Sequence, residues 1–225
     1  MPLAGNEFHM SLHLLSLVLQ VAGITAVAWR KTDEILSLRT KWMHLIGERY
    51  DTGQGKEAVE YWRVIKPDSV IVIVLHEGHI ILPAPSYRPG IGKPTVDFVG
   101  GRRRSCNGTS VRDDALALIK KELNVTAADA RTLRVVNEGP RGYAIDSSFS
   151  SHRLWVAVCR LKEGVVLPSD CVRYRVSEVD VLLRDLECLQ CRAALMELML
   201  REPGLFKERR GWGGWMGRTA MTRHS

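Results

Sequence analysis

The chain has 225 residues, of which 45% are hydrophobic and 25% charged, a balance that fits a globular protein with a full core. With 19 Gly, 9 Pro and 5 Cys and no fixed-period repeat, it is not collagen-like, not a low-complexity coil and not a disulfide scaffold. The net charge is +7, but four of those charges fall between Phe206 and Ser225, so the body of the chain carries no general signal for nucleic acid.

Residues 1–31 form an apolar leader. Ser11 to Trp29 carries no formal charge and is followed at once by Arg30 and Lys31. Three readings stay open. His13, Ser16 and Gln20 share a helical stripe, as in a packed helix; Ala26-Val27-Ala28 has the form of a signal-peptide cleavage site; and the run is barely long enough for a membrane anchor. The odd number of cysteines suits a reducing compartment, hence a cytoplasmic location.

Strands are predicted at Asp33–Leu38, Lys41–Tyr50 and Val59–Val64, the last two joined by a Gly-rich turn. Ser69–Leu75 is a nearly continuous apolar run, as in a strand covered on both faces, and Glu77-Gly78 turns it into His79–Leu82 as a hairpin. Tyr87–Lys93 reads as a loop and Thr95–Val99 as a short strand ending at Gly100-Gly101, followed by a loop with Arg102, Arg103 and Arg104. Ser110 and Asp113 have capping-box spacing, which starts a helix that ends at Asn124, with Asp113 and Asp114 read as first-turn acids. Arg131–Asn137 and Arg153–Leu161 are strands, Val172–Val176 is an edge strand, and a helix covers Val179–Leu200 with a break near Leu186 to Cys188. On that helix Leu189, Ala193, Met196 and Leu200 share a face. Strands, helix, strands, helix make an α/β sandwich with a mixed sheet.

Cys188 and Cys191 form a lone C-x-x-C inside the second helix. Without a second pair or a His partner they read as structural thiols. Among the histidines, His44, His76 and His79 form no ligand-like spacing.

From about Asp33 to about Pro203 the chain resembles the Nudix hydrolases of the ADP-ribose pyrophosphatase kind. The likeness lies in Glu60-Tyr61-Trp62-Arg63-Val64, Lys66-Pro67-Asp68-Ser69-Val70, Tyr87-Arg88-Pro89-Gly90-Ile91-Gly92 and Asp97-Phe98-Val99-Gly100-Gly101. It implies a Nudix-type α/β/α sandwich over residues 32–203, preceded by a small amino-terminal β-rich segment, and a homodimer. It also implies hydrolysis of a nucleoside diphosphate-linked compound, such as ADP-ribose or a nucleotide sugar, by Mg²⁺ held on several carboxylates of the Nudix box. Ala117 to Val125 falls on the core of that box, where Glu122 is the one acid that matches. Ala117 stands for the family's Arg, Leu118 and Lys121 for two of its Glu, Asn124 for its Gly, and Thr109 for the upstream Glu. The box Gly falls at Arg103, so Gly100-Gly101 implies a loop about two residues longer than usual.

Hard cations need several oxygens in one small site. Glu122 shares a helix face with Ala115, Leu118 and Ile119, and Asp97 keeps a carboxylate before the box, so these two are the candidate metal ligands. Glu122, Asp146 and His152 are the candidate catalytic groups, the last two lying where the family often carries a further Glu. Glu122 reads equally as a solvent-reaching or Arg-paired residue. Trp62 and Tyr87 are candidates for base stacking or for core packing. Arg88, Gly100 and Gly101 belong to the substrate side, and Arg102, Arg103 and Arg104 either hold a pyrophosphate by charge or form a solvated loop. Two functions remain in view: a divergent hydrolase, and a catalytically inactive Nudix domain that binds a nucleotide or a protein. Residues 204–225 form a basic Trp- and Gly-rich tail, predicted to be disordered, whose composition also suits RNA or a membrane surface.

Overall fold

The computed structural model describes residues 28–104, 110–137 and 142–206. The leader up to residue 27, Cys106, Thr109, Gly139-Pro140-Arg141 and the tail from residue 207 lie outside the described residues. Among the described residues no helix is long and apolar enough to cross a membrane. The chain divides into two compact units after Arg63.

The first unit is a small sheet in which β1 (Arg30–Arg39) pairs antiparallel with β2 (His44–Asp51), and β3 (Val59–Ile65) lies on the other side of β2. Every residue of β1 is exposed. Its fixed point is Glu48, buried in β2, which accepts hydrogen bonds from Arg63 Nε at 2.7 Å and Tyr50 Oη at 2.7 Å and pairs with Lys31 Nζ at 2.7 Å. The Arg63 guanidinium, together with Lys31 and Tyr50, holds the Glu48 carboxyl down to about 2 against the cost of burial.

The second unit is built on β4 (Ser69–His76), whose run of aliphatic residues is buried on both faces as its sequence predicts. Glu77 and Gly78, with φ of 45° and 75°, close the hairpin into β5 (His79–Leu82). The segment from Ser86 to Thr95 is a two-stranded ribbon rather than a plain loop, β6 (Ser86–Arg88) against β7 (Lys93–Thr95). No strand spans Thr95–Val99. Instead β8 (Val99–Arg102) starts at Val99 and runs through the glycine pair, because its ladder with Ser69–Val72 of β4 continues to Arg102. Helix α1 (Val111–Leu123) begins at the capping box of Ser110 and Asp113 and ends at Asn124 in the left-handed conformation.

On the far edge of β4, β11 (Arg153–Leu161) runs parallel to it and pairs in turn with β9 (Ala130–Val135) and β10 (Tyr143–Ala144). Strand β12 (Val172–Arg175) pairs with β5 at the opposite edge. The predicted long helix is two, α2 (Val179–Asp185) and α3 (Leu189–Arg201), separated by the buried, extended Leu186; a four-residue α4 (Pro203–Phe206) follows. Alternate residues of β4 feed two cores. Val70, Val72 and Val74 meet Ala115, Ile119 and Leu123 of α1, while Ile71, Ile73 and Leu75 meet Leu182 of α2 and Leu195 and Leu198 of α3. Each such aliphatic side chain contributes about 1.5–3 kcal/mol on burial, so the helices are held to opposite faces by the period-two pattern of one strand. The result is a sandwich with helices on both faces of a mixed sheet.

The face of α3 differs from expectation. Leu189, Met196 and Leu200 are exposed, and Cys191, Ala194, Leu195 and Leu198 form the buried stripe. Both stripes are apolar, so periodicity alone does not select between them; in the fold the break at the extended Leu186 separates the helices, and α3 packs with Cys191 in the core.

Candidate functional site

Strand β4 changes its partner on one edge, from β8 along Ser69–Val72 to β5 from Val74 onward. Beside its β8 half lies a cavity of about 310 Å³ lined by Arg88, Asp97, Gly100, Gly101, Cys188 and Cys191 among others. A larger cavity of about 640 Å³ lies by the β4–β5 turn, around His76, Arg131 and Arg160, and is lined by none of the candidate catalytic, metal or substrate residues. The chemistry therefore selects the smaller one. It brings together Arg88, Asp97, Gly100 and Gly101, which the ribbon β6–β7 and the ladder β4–β8 place on one wall, with Cys188 and Cys191 from far along the chain.

Asp97 sits buried between β7 and β8. Its Oδ2 accepts hydrogen bonds from Arg88 Nε at 2.7 Å and Thr95 Oγ1 at 3.0 Å, and its Oδ1 faces Cys191 Sγ at 3.7 Å. Glu122, half-buried near the end of α1, accepts the Gly100 N–H at 3.3 Å. Burial raises its pKa and the Asp97 charge adds to the rise, opposed by the Gly100 N–H and by Lys121 and Arg88. One turn earlier Leu118 covers β8 so closely that a Cβ on Gly101 would stand 2.5 Å from it. A methyl at position 101 would therefore make the end of the Leu118 side chain shift.

The first turn of α1 separates its two acids. Asp113 caps the helix, its carboxylate accepting from the Ser110 N–H and hydroxyl. Asp114 does not serve as a solvated dipole partner: it is 1% exposed and pairs with Arg103 Nε at 3.4 Å and Arg104 Nε at 3.1 Å. Arg103 also lies over the Trp155 ring at 5.2 Å. Two of the three loop arginines are therefore held by a helix carboxylate, while Arg102 closes β8 opposite Ser69.

The other predicted site residues are engaged by partners of their own or exposed. Asp146 is exposed and caps a turn, accepting from the Ser148 N–H and hydroxyl and from the Phe149 N–H, which lower its pKa. His152 is buried with Nε2 at 2.7 Å from Ser69 Oγ; burial, then Lys66, pulls its pKa down to about 4 despite Asp68, so it is neutral near pH 7. Tyr87 is 62% exposed on β6. Trp62 belongs to the first unit, where its ring covers Gly47 and its Nε1 donates to Glu60 at 2.7 Å.

Sequence reasoning set aside two residues that line the cavity. Cys188 is the N-cap of α3 and Cys191 lies in its first turn. The Cys188 thiol is drawn down to about 6, first by the Cys191 thiol and then by the N–H groups of Cys191 and Gln190, while that partnership and burial push Cys191 up. The signal was available: the predicted break near Leu186 to Cys188 places the first cysteine at a helix start.

A solved structure of an ADP compounds hydrolase superposes on this chain with a TM-score of 0.64 and 18% sequence identity, covering 80% of this chain and 97% of that one. This chain has the Nudix-like α/β fold of that neighbour, with its mixed sheet, helices and small amino-terminal antiparallel sheet. No protein-family model matches the sequence. No curated protein matches it either.

Proposed function

We propose that this chain binds a nucleoside diphosphate-linked compound in the cavity beside β8 and does not hydrolyse it through magnesium ions on α1. The observation that carries this reading is the state of the α1 carboxylates. Asp113 caps, Asp114 is paired with Arg103 and Arg104, and Glu122 is desolvated beside Leu118 with its pKa raised. A magnesium site needs several oxygens converging on one point, and Glu122 is the one α1 carboxylate left for it, its charged form already opposed by burial.

The diphosphate class is supported by the likeness to the ADP compounds hydrolase and by the groups at the cavity. Arg88, held in place by Asp97 with its side chain half exposed, offers a fork to a phosphate, and Gly100 and Gly101 line the same cavity. A homodimer belongs to the same reading, supported by the exposed Ile35, Leu36 and Leu38 on β1.

The test is to mix purified full-length protein with ADP-ribose, with and without Mg²⁺, and to follow heat and AMP release together. Metal-independent binding without AMP is the expected result. Mg²⁺-dependent AMP release that disappears in Glu122→Gln would establish the hydrolase instead.

A further inference from the structure

We infer that Asp97, Cys188 and Cys191 form a site for a thiophilic divalent cation, zinc in the first instance, in the wall of the cavity. One ligand atom from each of the three lies within 4.8 Å of the others. In a tetrahedral zinc site, bonds of about 2.3 Å to sulfur and about 2.1 Å to oxygen place two sulfurs about 3.8 Å apart and a sulfur and an oxygen about 3.6 Å apart. The Cys191 Sγ to Asp97 Oδ1 distance of 3.7 Å already matches the second of these.

The carboxylate is arranged for one metal bond. Arg88 Nε and Thr95 Oγ1 both donate to Oδ2, which fixes the plane of the group and leaves Oδ1 toward the thiols. Such outer partners orient ligands and tune their basicity. Charge also balances: two thiolates and a carboxylate around a dication leave one negative charge, and the Arg88 guanidinium on Oδ2 offsets it. Cys188 and Cys191 come from one C-x-x-C at the start of α3, so a single helix turn supplies a chelating pair, and Asp97 brings the third ligand from 94 positions away in sequence. A disulfide between the cysteines would use neither Asp97 nor its paired arginine. All three residues line the cavity, so a fourth coordination position opens to whatever the cavity holds. Glu122 supplies no ligand to the site.

The experiment is a Co²⁺ titration of the reduced, chelator-treated full-length protein, read by absorbance, followed by displacement with Zn²⁺. One equivalent giving a sulfur-to-cobalt charge-transfer band and strong tetrahedral d–d bands, both abolished by Zn²⁺, is expected. Cys188→Ser and Cys191→Ser each lose the charge-transfer intensity in large part, and Arg88→Gln weakens affinity roughly ten- to a hundredfold. Glu122→Gln leaves the spectrum unchanged. Should the cysteine variants fail to fold, alkylation mapped by mass spectrometry serves on the wild-type chain: zinc slows modification of Cys188 and Cys191 at least about tenfold and leaves Cys171 unchanged. Absence of the charge-transfer band in folded wild-type protein, a band that survives in both serine variants, a band lost in Glu122→Gln, or no protection from alkylation overturns the proposal.

Discussion

Helix α1 and the start of α3 both come to β8 or to the residues just before it, and they bring opposite chemistry. On α1 the carboxylates are spent on structure: Asp113 on the cap, Asp114 on two arginines, Glu122 on a backbone N–H in a desolvated corner. On α3 two thiols converge on Asp97, whose second oxygen is already held in place by Arg88 and Thr95. A fold can thus keep the position of a cleft while its polar groups change role, because position is set by β4 and its ladders and chemistry by a few side chains.

The largest effect expected from breaking this contrast is on stability at Asp114. Removing the carboxylate in Asp114→Ala leaves Arg103 without its buried partner and costs about 3 kcal/mol, read from urea unfolding midpoints. A cost as small as that of an exposed acid would mean that the pair is not buried in solution.

Gly101→Ala is next. The added methyl meets Leu118 and costs about 1–2 kcal/mol, and Leu118→Ala in the same chain recovers part of the loss. Should the double variant recover stability yet lose ADP-ribose binding, Gly101 is needed by the ligand as well as by α1.

Acidification separates His152 from a catalytic role. Its folded pKa is about 4 against an ordinary value of 6.5, so the unfolded chain takes up a proton first and stability falls as pH drops from about 6.5 to about 4. In His152→Gln that part of the pH dependence is expected to vanish, as measured by unfolding midpoints across this range.

The smallest effect is at Glu122. Its folded pKa is raised, so its stabilising contribution is present below the ordinary value of 4.5 and is lost as pH rises through the folded value. Glu122→Gln is therefore expected to be slightly more stable than wild type at pH 7 and equal to it at pH 4. A variant less stable than wild type at pH 7 would show an ionised, well-paired Glu122.

Much of the frame was legible because its causes are local. Ser110 and Asp113 mark the start of α1 and Asn124 its end, the apolar run at Ser69 marks the central strand, and Arg153–Leu161 marks its parallel neighbour. What escaped the sequence depends on contacts across the chain. Asp114 reads as a first-turn acid until the loop arginines fold over it. The apolar stripes of α3 are equivalent until the helix packs against the sheet, and Cys188 and Cys191 read as helix interior until the break at Leu186 and Asp97 are placed together. Glu122 was found from the resemblance, but its desolvation was not, since that depends on Leu118 and β8 around it.

The most direct test of the account is the affinity of full-length protein for ADP-ribose, measured by calorimetry in wild type and Glu122→Gln, each with Mg²⁺ and with a chelator in its place, after the Cys188 and Cys191 site has been loaded with zinc or stripped in parallel samples. The account predicts one Kd for both proteins that does not depend on Mg²⁺. Binding that requires Mg²⁺ in wild type and is lost in Glu122→Gln would contradict it and return α1 to the role of a metal helix.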